Sequence, residues 1–284
     1  MPELPEVEVL VRHLRPLVIE RRICGVEVRR AKSVRPDTAA AFRARLIGGR
    51  IRALERRAKF LVFTLESRPL RAAFPLVGHL GMTGRMFLQP RRTALPKHAA
   101  VVLDLGGECL VFEDPRYFGR LSLDAAPLEQ LGPEPLADGF APADLRAVLG
   151  CSRQPIKVRL LDQQALAGVG NIYASEALFV AGIPPTLPCV RLGPKRVARL
   201  WRALRTVLQE AIDFGSTVPL NWSGQNGSDG LFYYGRDPAA PDYYEERLRV
   251  YGRQGKPCRV CGTAIRRRVL AARSTFSCPR CQPR

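Results

Sequence analysis

The chain has 284 residues, 46% of them hydrophobic, which is enough to build two buried cores and argues against disorder. Its 45 Lys+Arg against 26 Asp+Glu leave a net charge of +19, a field that attracts polyanions through phosphate neutralisation and counterion release. No apolar run reaches the roughly 18 to 20 residues of a membrane span. The opening Met1-Pro2-Glu3-Leu4-Pro5-Glu6, acidic and broken by proline, is the opposite of a secretory signal. A cytoplasmic, nucleoid-associated protein with a nucleic-acid partner is expected, set against the plainer alternative of a generally basic surface.

From Glu6 to Val18, apolar residues at Val7, Leu10, Val11, Leu14, Leu17 and Val18 have helical spacing, with Pro5 near the first turn and Pro16 straining the end. From about Cys24 to Asp124 the pattern changes. Short runs such as Phe60–Leu65 and Ala100–Leu105 alternate with Gly/Pro turns, predicting a β-sandwich behind one helix. The Pro- and acid-rich stretch from Ala125 to Pro142 reads as a linker. Helical patterns follow over Ala143–Leu149, Pro155–Leu161, Ile172–Ala181 and Lys195–Phe214. A Gly/Ser/Asn-rich segment, Gly215 to Gly230, reads as a loop.

The last part carries the strongest spacing in the chain: Cys258-x2-Cys261, sixteen residues, then Cys278-x2-Cys281. Each Cys-x2-Cys turn brings two thiolates near one point, and two such turns close a tetrahedral zinc shell. In a reducing compartment this reads as one structural zinc, with two disulfides or free thiols as the alternative. Nine Lys/Arg and no Asp/Glu lie between Arg253 and Arg284, a charge suited to phosphate contacts. Cys24, Cys109, Cys151 and Cys189 have no metal spacing and are expected in the core or as incidental residues. A closed zinc supplies no chemistry, so a DNA-binding zinc protein without activity remains open at this point.

The opening Pro2-Glu3-Leu4-Pro5-Glu6-Val7-Glu8 bears on that choice, as it resembles the N-terminus of the bacterial formamidopyrimidine-DNA glycosylases, within a family that also holds endonuclease VIII. Collinear matches follow in Arg56-Arg57-Ala58-Lys59-Phe60, His79-Leu80-Gly81-Met82-Thr83-Gly84 and Asp114-Pro115-Arg116-Tyr117-Phe118-Gly119. Further along come Leu131–Leu136, Gly168–Glu176 and Val250-Tyr251-Gly252-Arg253. The resemblance implies an α+β multidomain fold: an N-terminal helix plus β-sandwich, then a helix-two-turn-helix domain with a zinc finger, and damaged double-stranded DNA in the cleft between the halves. The domains are expected at 1–127, a linker at 128–142, then 143–249 with a lesion-capping loop, and the finger at 250–284. A monomer is expected.

The same resemblance implies the site. Pro2 becomes a secondary amine once Met1 is removed, which a small second residue permits. An α-amino group has a pKa of about 8 against about 10.4 for lysine, so far more of it is neutral and nucleophilic at neutral pH. Glu3 is the adjacent acid/base, and Glu6 supports the geometry. Lys59 is implied as a catalytic residue that contacts the phosphate beside the lesion, and His79, Lys157, Asn171 and Arg273 are implied as DNA contacts, Lys157 also near the lesion. An Asn opening a helix is equally read as its cap. Met82, Arg116 and Phe118 are implied to fill the space a flipped nucleotide vacates.

Two features depart from the family's wording. Tyr117 stands where relatives are often basic. The lesion-capping loop, expected between Gly215 and about Gly235, is followed by an inserted-looking Asp237–Glu246, with aromatics suited either to stacking on a base or to anchoring the loop. The expected activity is excision of oxidised purines with strand cleavage. The alternatives are an endonuclease VIII-like preference for oxidised pyrimidines and the non-catalytic zinc protein.

Overall fold

The helical spacing near the N-terminus becomes α1, Leu4–Val18, in the computed structural model, which describes residues 2–67, 72–150, 152–217 and 247–283. Its apolar face is buried through Val7, Leu10, Val11, Leu14 and Val18. Pro16 is tolerated because it falls in the last turn, where the helix is already ending at Val18. After β1 (Gly25–Val28) and α2 (Ala39–Leu46) come β2 (Arg50–Arg57), β3 (Phe60–Glu66), β4 (Ala73–His79) and β5 (Arg85–Pro90). Then follow β6 (Ala99–Asp104), β7 (Glu108–Glu113) and β8 (Arg120–Ser122).

The strands form two four-stranded antiparallel sheets, ordered β2-β3-β4-β8 and β1-β6-β7-β5. β3 alternates as a half-buried strand should, with Leu61, Phe63 and Leu65 inward. One cluster joins these residues to Leu88, Leu110 and Phe112 of the second sheet and to α1, so the sheets form a sandwich with α1 packed into its core. β6 is instead buried along its length. A second cluster, with Phe87, Val102 and Val111 beside Leu95, covers its outer face.

The chain then runs through α3 (Ala126–Glu129), α4 (Pro142–Gly150), α5 (Ile156–Leu160), α6 (Asn171–Val180) and α7 (Pro194–Thr217). It closes on the hairpin β9 (Arg266–Leu270) and β10 (Arg273–Ser277). The short α3 falls within the stretch read as linker. The chain divides into two compact units, Met1–Glu129 with Phe214–Ala240 and Gln130–Asp213 with Pro241–Arg284. No described helix is long and apolar enough to cross a membrane. The expected capping-loop and insertion residues between 218 and 246, and Cys151, lie outside the described residues.

Within the second unit a single side chain anchors the approach to the hairpin. Glu176 of α6 is 1% exposed. Its carboxylate accepts the backbone N–H groups of Arg249, Val250 and Tyr251 at 2.8–2.9 Å. Burial pushes its pKa up, while the three N–H donors and the Arg249 charge pull the other way. Glu176→Ala is expected to leave those donors without an acceptor and to cost about 3 kcal/mol in denaturant unfolding. A variant as stable as the parent would contradict this anchoring.

Candidate functional site

Pro2 and Glu3 lie immediately before α1 and both are buried. The Glu3 N–H donates to the Glu6 carboxylate at 2.7 Å as one arm of a capping box. Glu6 is therefore committed to shaping the first turn. Two buried carboxylates are compatible with this place because a helix N-terminus favours negative charge.

A second acid on α1 reaches the sheet. Glu8 accepts from Arg56 Nε at 2.7 Å, and Arg56 Nη1 donates to the Ala58 carbonyl at 3.2 Å. Burial opposes ionisation of Glu8, but hydrogen bonds and charge from Arg56 and Arg12 hold its pKa below the ordinary carboxylate value. Ala58 and Lys59 form the turn between β2 and β3, Ala58 in the left-handed region at φ +51°. Arg56 thus clamps the turn bearing Lys59 to the helix that starts just after Pro2 and Glu3. Lys59 itself is 6% exposed.

His79 ends β4, paired with Phe60 of β3 and Arg120 of β8. Its ring centroid lies 4.8 Å from that of Phe60. Burial, aided by the Lys59 charge, lowers its pKa to about 4, so the imidazole is neutral at neutral pH. The Gly81 N–H approaches Nδ1 at 3.1 Å. Nδ1 must accept, which puts the proton on Nε2 as a donor. His79, Phe118 and Arg120 line one cavity of about 400 Å³ together with Arg35 and Asp124.

The two loops carrying Met82, Arg116 and Phe118 are held together by Asp114, which is fully buried. Its Oδ1 accepts from Thr83 Oγ1 at 2.6 Å and from the Arg116 N–H at 3.1 Å, and its Oδ2 accepts from the Gly119 N–H at 2.7 Å. Their backbones also touch. A Cβ on Gly81, whose φ is +65°, would meet Gly119 N at 2.6 Å, and one on Gly119 would meet His79 O at 2.9 Å. On this support Phe118 stands 56% exposed, with the Arg116 guanidinium 4.9 Å from its ring centroid. Met82 is half-buried. Tyr117, at φ +53°, turns inward: its hydroxyl lies 3.2 Å from His98 Nδ1 and Arg30 stacks on its ring.

In the second unit Asn171 opens α6, but the cap residue is Gly170 and no side chain caps the helix. The capping alternative therefore does not hold. The Asn171 Oδ1 is buried without a hydrogen-bond partner. Lys157 is 1% exposed, with Nζ donating to the Ser274 carbonyl at 2.9 Å and to Thr275 Oγ1 at 3.0 Å. Arg273, just before them, is exposed at the start of β10. It follows the two-residue turn Ala271-Ala272, both at positive φ, 46° and 60°, as a type I′ hairpin requires.

The four cysteine sulfurs lie within 4.8 Å of one another, with Cys258–Cys281 at 3.8 Å and Cys261–Cys278 at 3.4 Å. Four sulfurs at about 2.3 Å from one centre would sit roughly 3.8 Å apart, so the set fits one tetrahedral zinc with no position left for substrate. Backbone N–H groups of Val260 and Cys281 point at Cys258 and Cys278 sulfurs. It is the one such cluster among the described residues. Cys109 and Cys189 are buried and Cys24 is exposed.

Sequence reasoning did not single out Glu8, Arg56, Asp114 or Glu176 as site supports, although all four lie within the matched motifs. The available signal was Glu176, an acid among apolar residues of the 168–176 motif; Glu8 and Arg56 stand among like-charged neighbours that hide them.

Three family models match the chain: the formamidopyrimidine-DNA glycosylase N-terminal domain over residues 1–121, the H2TH domain of the same glycosylases over 131–220, and a zinc finger found in FPG and IleRS over 255–284. A formamidopyrimidine-DNA glycosylase of Thermus thermophilus is 43% identical, covering 99% of this chain and 98% of the relative. That of Rhizorhabdus wittichii is 41% identical over 99% and 100%. Among solved structures, the MutM (Fpg) protein from Thermus thermophilus superposes with a TM-score of 0.82 at 42% identity, covering 99% of this chain and 98% of that one. Lactococcus lactis Fpg in complex with DNA containing an abasic site superposes at 0.85 with 29% identity, over 99% and 100%.

Between pH 6.5 and about 4 the unfolded chain binds a proton at His79 that the folded chain does not. Stability is therefore lost as pH falls through this window and none is lost above it on this account. An NMR titration is expected to give a His79 midpoint near 4; one near 6.5 would contradict the buried, neutral ring. Removing zinc with a chelator is expected to open residues 250–284 to limited proteolysis while the β-sandwich stays resistant. Unchanged digestion would argue against a metal-held finger.

Proposed function

Because the chain belongs to the formamidopyrimidine-DNA glycosylase family, we propose that it excises 8-oxoguanine and formamidopyrimidines from double-stranded DNA and then cleaves the strand. It is a DNA glycosylase of base-excision repair with one structural zinc. The observation that carries the reading is the Glu8–Arg56–Ala58 clamp, which ties the Lys59 turn to the helix beginning after Pro2 and Glu3.

In this mechanism the neutral Pro2 amine attacks C1′ of the damaged nucleotide and the base departs with the bonding electrons. The amine's proton is lost, the base gains one, and Glu3 moves protons between them and the opening sugar. The C1′–O4′ bond then breaks as the nitrogen lone pair forms C1′=N, with O4′ taking a proton from Glu3, and because the amine is secondary the resulting imine is a cation. It acidifies the C2′ proton, whose removal drives β-elimination of the 3′ phosphate and then δ-elimination of the 5′ phosphate. Lys59 sits by the lesion phosphate, and His79 donates to phosphate from Nε2.

Met82, Arg116 and Phe118 occupy the space left by the flipped nucleotide, Phe118 as wedge and Arg116 toward the orphaned base. Their support by Asp114 and two glycines suits them to hold unstacked bases apart. In the second unit, Asn171 and the N–H groups at the start of α6 grip phosphate, as does Arg273. Lys157, through Ser274 and Thr275, sets the strand that presents Arg273 and acts on DNA through it. The enzyme works as a monomer in the cytoplasm at the nucleoid. The domain limits we propose are 1–127, a linker at 128–142, 143–249 and 250–284.

The substrate assignment is tested by parallel excision assays on duplexes bearing 8-oxoguanine opposite cytosine or thymine glycol. Faster release of 8-oxoguanine is expected, by about tenfold or more. Robust thymine-glycol removal without 8-oxoguanine removal would move the chain to the pyrimidine branch.

A further inference from the structure

α6 presents Asn171 at its N-terminus; about 15 Å away along its ten residues, the other end of the helix borders a different surface. A groove of about 710 Å³ opens there, against α7 and the first cysteine turn. Arg199, Arg247, Arg249 and Arg259 line it, with no acidic lining residue among those described. Arg249 donates to Glu210 nearby at 3.0 Å. Between the cations lie two aliphatic side chains turned to water, Val180 at 42% and Val260 at 74% exposure. None of these side chains belongs to the site assigned above, although the Val260 backbone N–H points at the Cys258 sulfur.

We propose that this groove docks an acidic peptide segment of a partner protein, its carboxylates on the arginines and one large apolar side chain against Val180 and Val260. Guanidinium groups take carboxylates in two-point hydrogen bonds, which favours arginine for such pairing. The valines decide between partners. A duplex backbone would answer the positive charge but offers only the small C–H edges of deoxyribose to two exposed aliphatic side chains, whereas a peptide carrying leucine or phenylalanine among aspartates covers them with one large apolar group. The combination of apolar lining and cationic surround has the anatomy of a small protein-binding patch.

Fluorescence anisotropy with the full zinc-loaded protein tests this, using a labelled short peptide of aspartates interrupted by leucine. Saturable binding is expected, weakened by added salt. Arg199→Glu and Val180→Asp, both at exposed positions, are each expected to weaken it about tenfold or more, with covalent trapping on abasic DNA unchanged. An aspartate-only peptide of equal charge is expected to bind about tenfold more weakly. The proposal is overturned if the peptide does not bind saturably, if neither variant weakens it, or if the aspartate-only peptide binds equally well. It is overturned too if Arg199→Glu weakens binding to undamaged duplex as much as binding to the peptide, which would assign the groove to a DNA backbone.

Discussion

A nucleophile at the start of a chain is tethered on one side only, so its position is as good as the anchorage of the helix behind it. Here that anchorage is the burial of α1 in the sandwich core, where Val7, Val11, Leu14 and Val18 are fully buried and Leu10 is 2% exposed. Hydrophobic burial fixes the helix against the sheet but does not set its rotation finely. Polar contacts do that: Arg15 Nε donates to the Leu54 carbonyl at 2.8 Å, and Arg56 joins Glu8 to the Ala58 carbonyl. The same contacts set the Lys59 turn, so the proposed nucleophile and its lysine neighbour share one scaffold.

The proposed wedge residues face a different demand, since an exposed Phe118 in a pliant loop would fold away under the pressure of stacked bases. Asp114 and the close approach of Gly81 to Gly119 make two loops behave as one body. Tyr117 contributes by turning inward to His98 and Arg30, so its side chain serves packing here. The zinc performs the equivalent task for the last hairpin. A two-stranded hairpin is too small to hold itself in water, and the four thiolates reinforce the small cluster of Phe179, Val250, Ile265 and Phe276 beside them.

How far the sequence could be read depended on whether a feature was local. The 3.6-residue spacing of α1, the alternation of β3 and the paired Cys-x2-Cys turns are local, and each appeared close to where it was expected. α1 begins at Leu4 rather than Glu6 because Pro5 fits the first turn and Glu3 and Glu6 close the cap. Asp114 was not legible as a hub, because its partner Thr83 lies 31 positions away and only the fold brings the two loops together. Lys157 was read as a DNA contact from the family resemblance, and only packing reveals that its ammonium is buried against Ser274 and Thr275. The continuous burial of β6 likewise depends on an outer cluster that no period-2 pattern contains.

The central claim, amine catalysis from Pro2, is tested most directly by borohydride reduction on a duplex containing an abasic site. Chain with Met1 removed should form a covalent protein–DNA adduct whose digested peptide carries the sugar on the Pro2 nitrogen. Chain retaining Met1 has an amide there and should form none. An adduct of equal yield in the blocked chain, or one mapped to a lysine, would contradict the account.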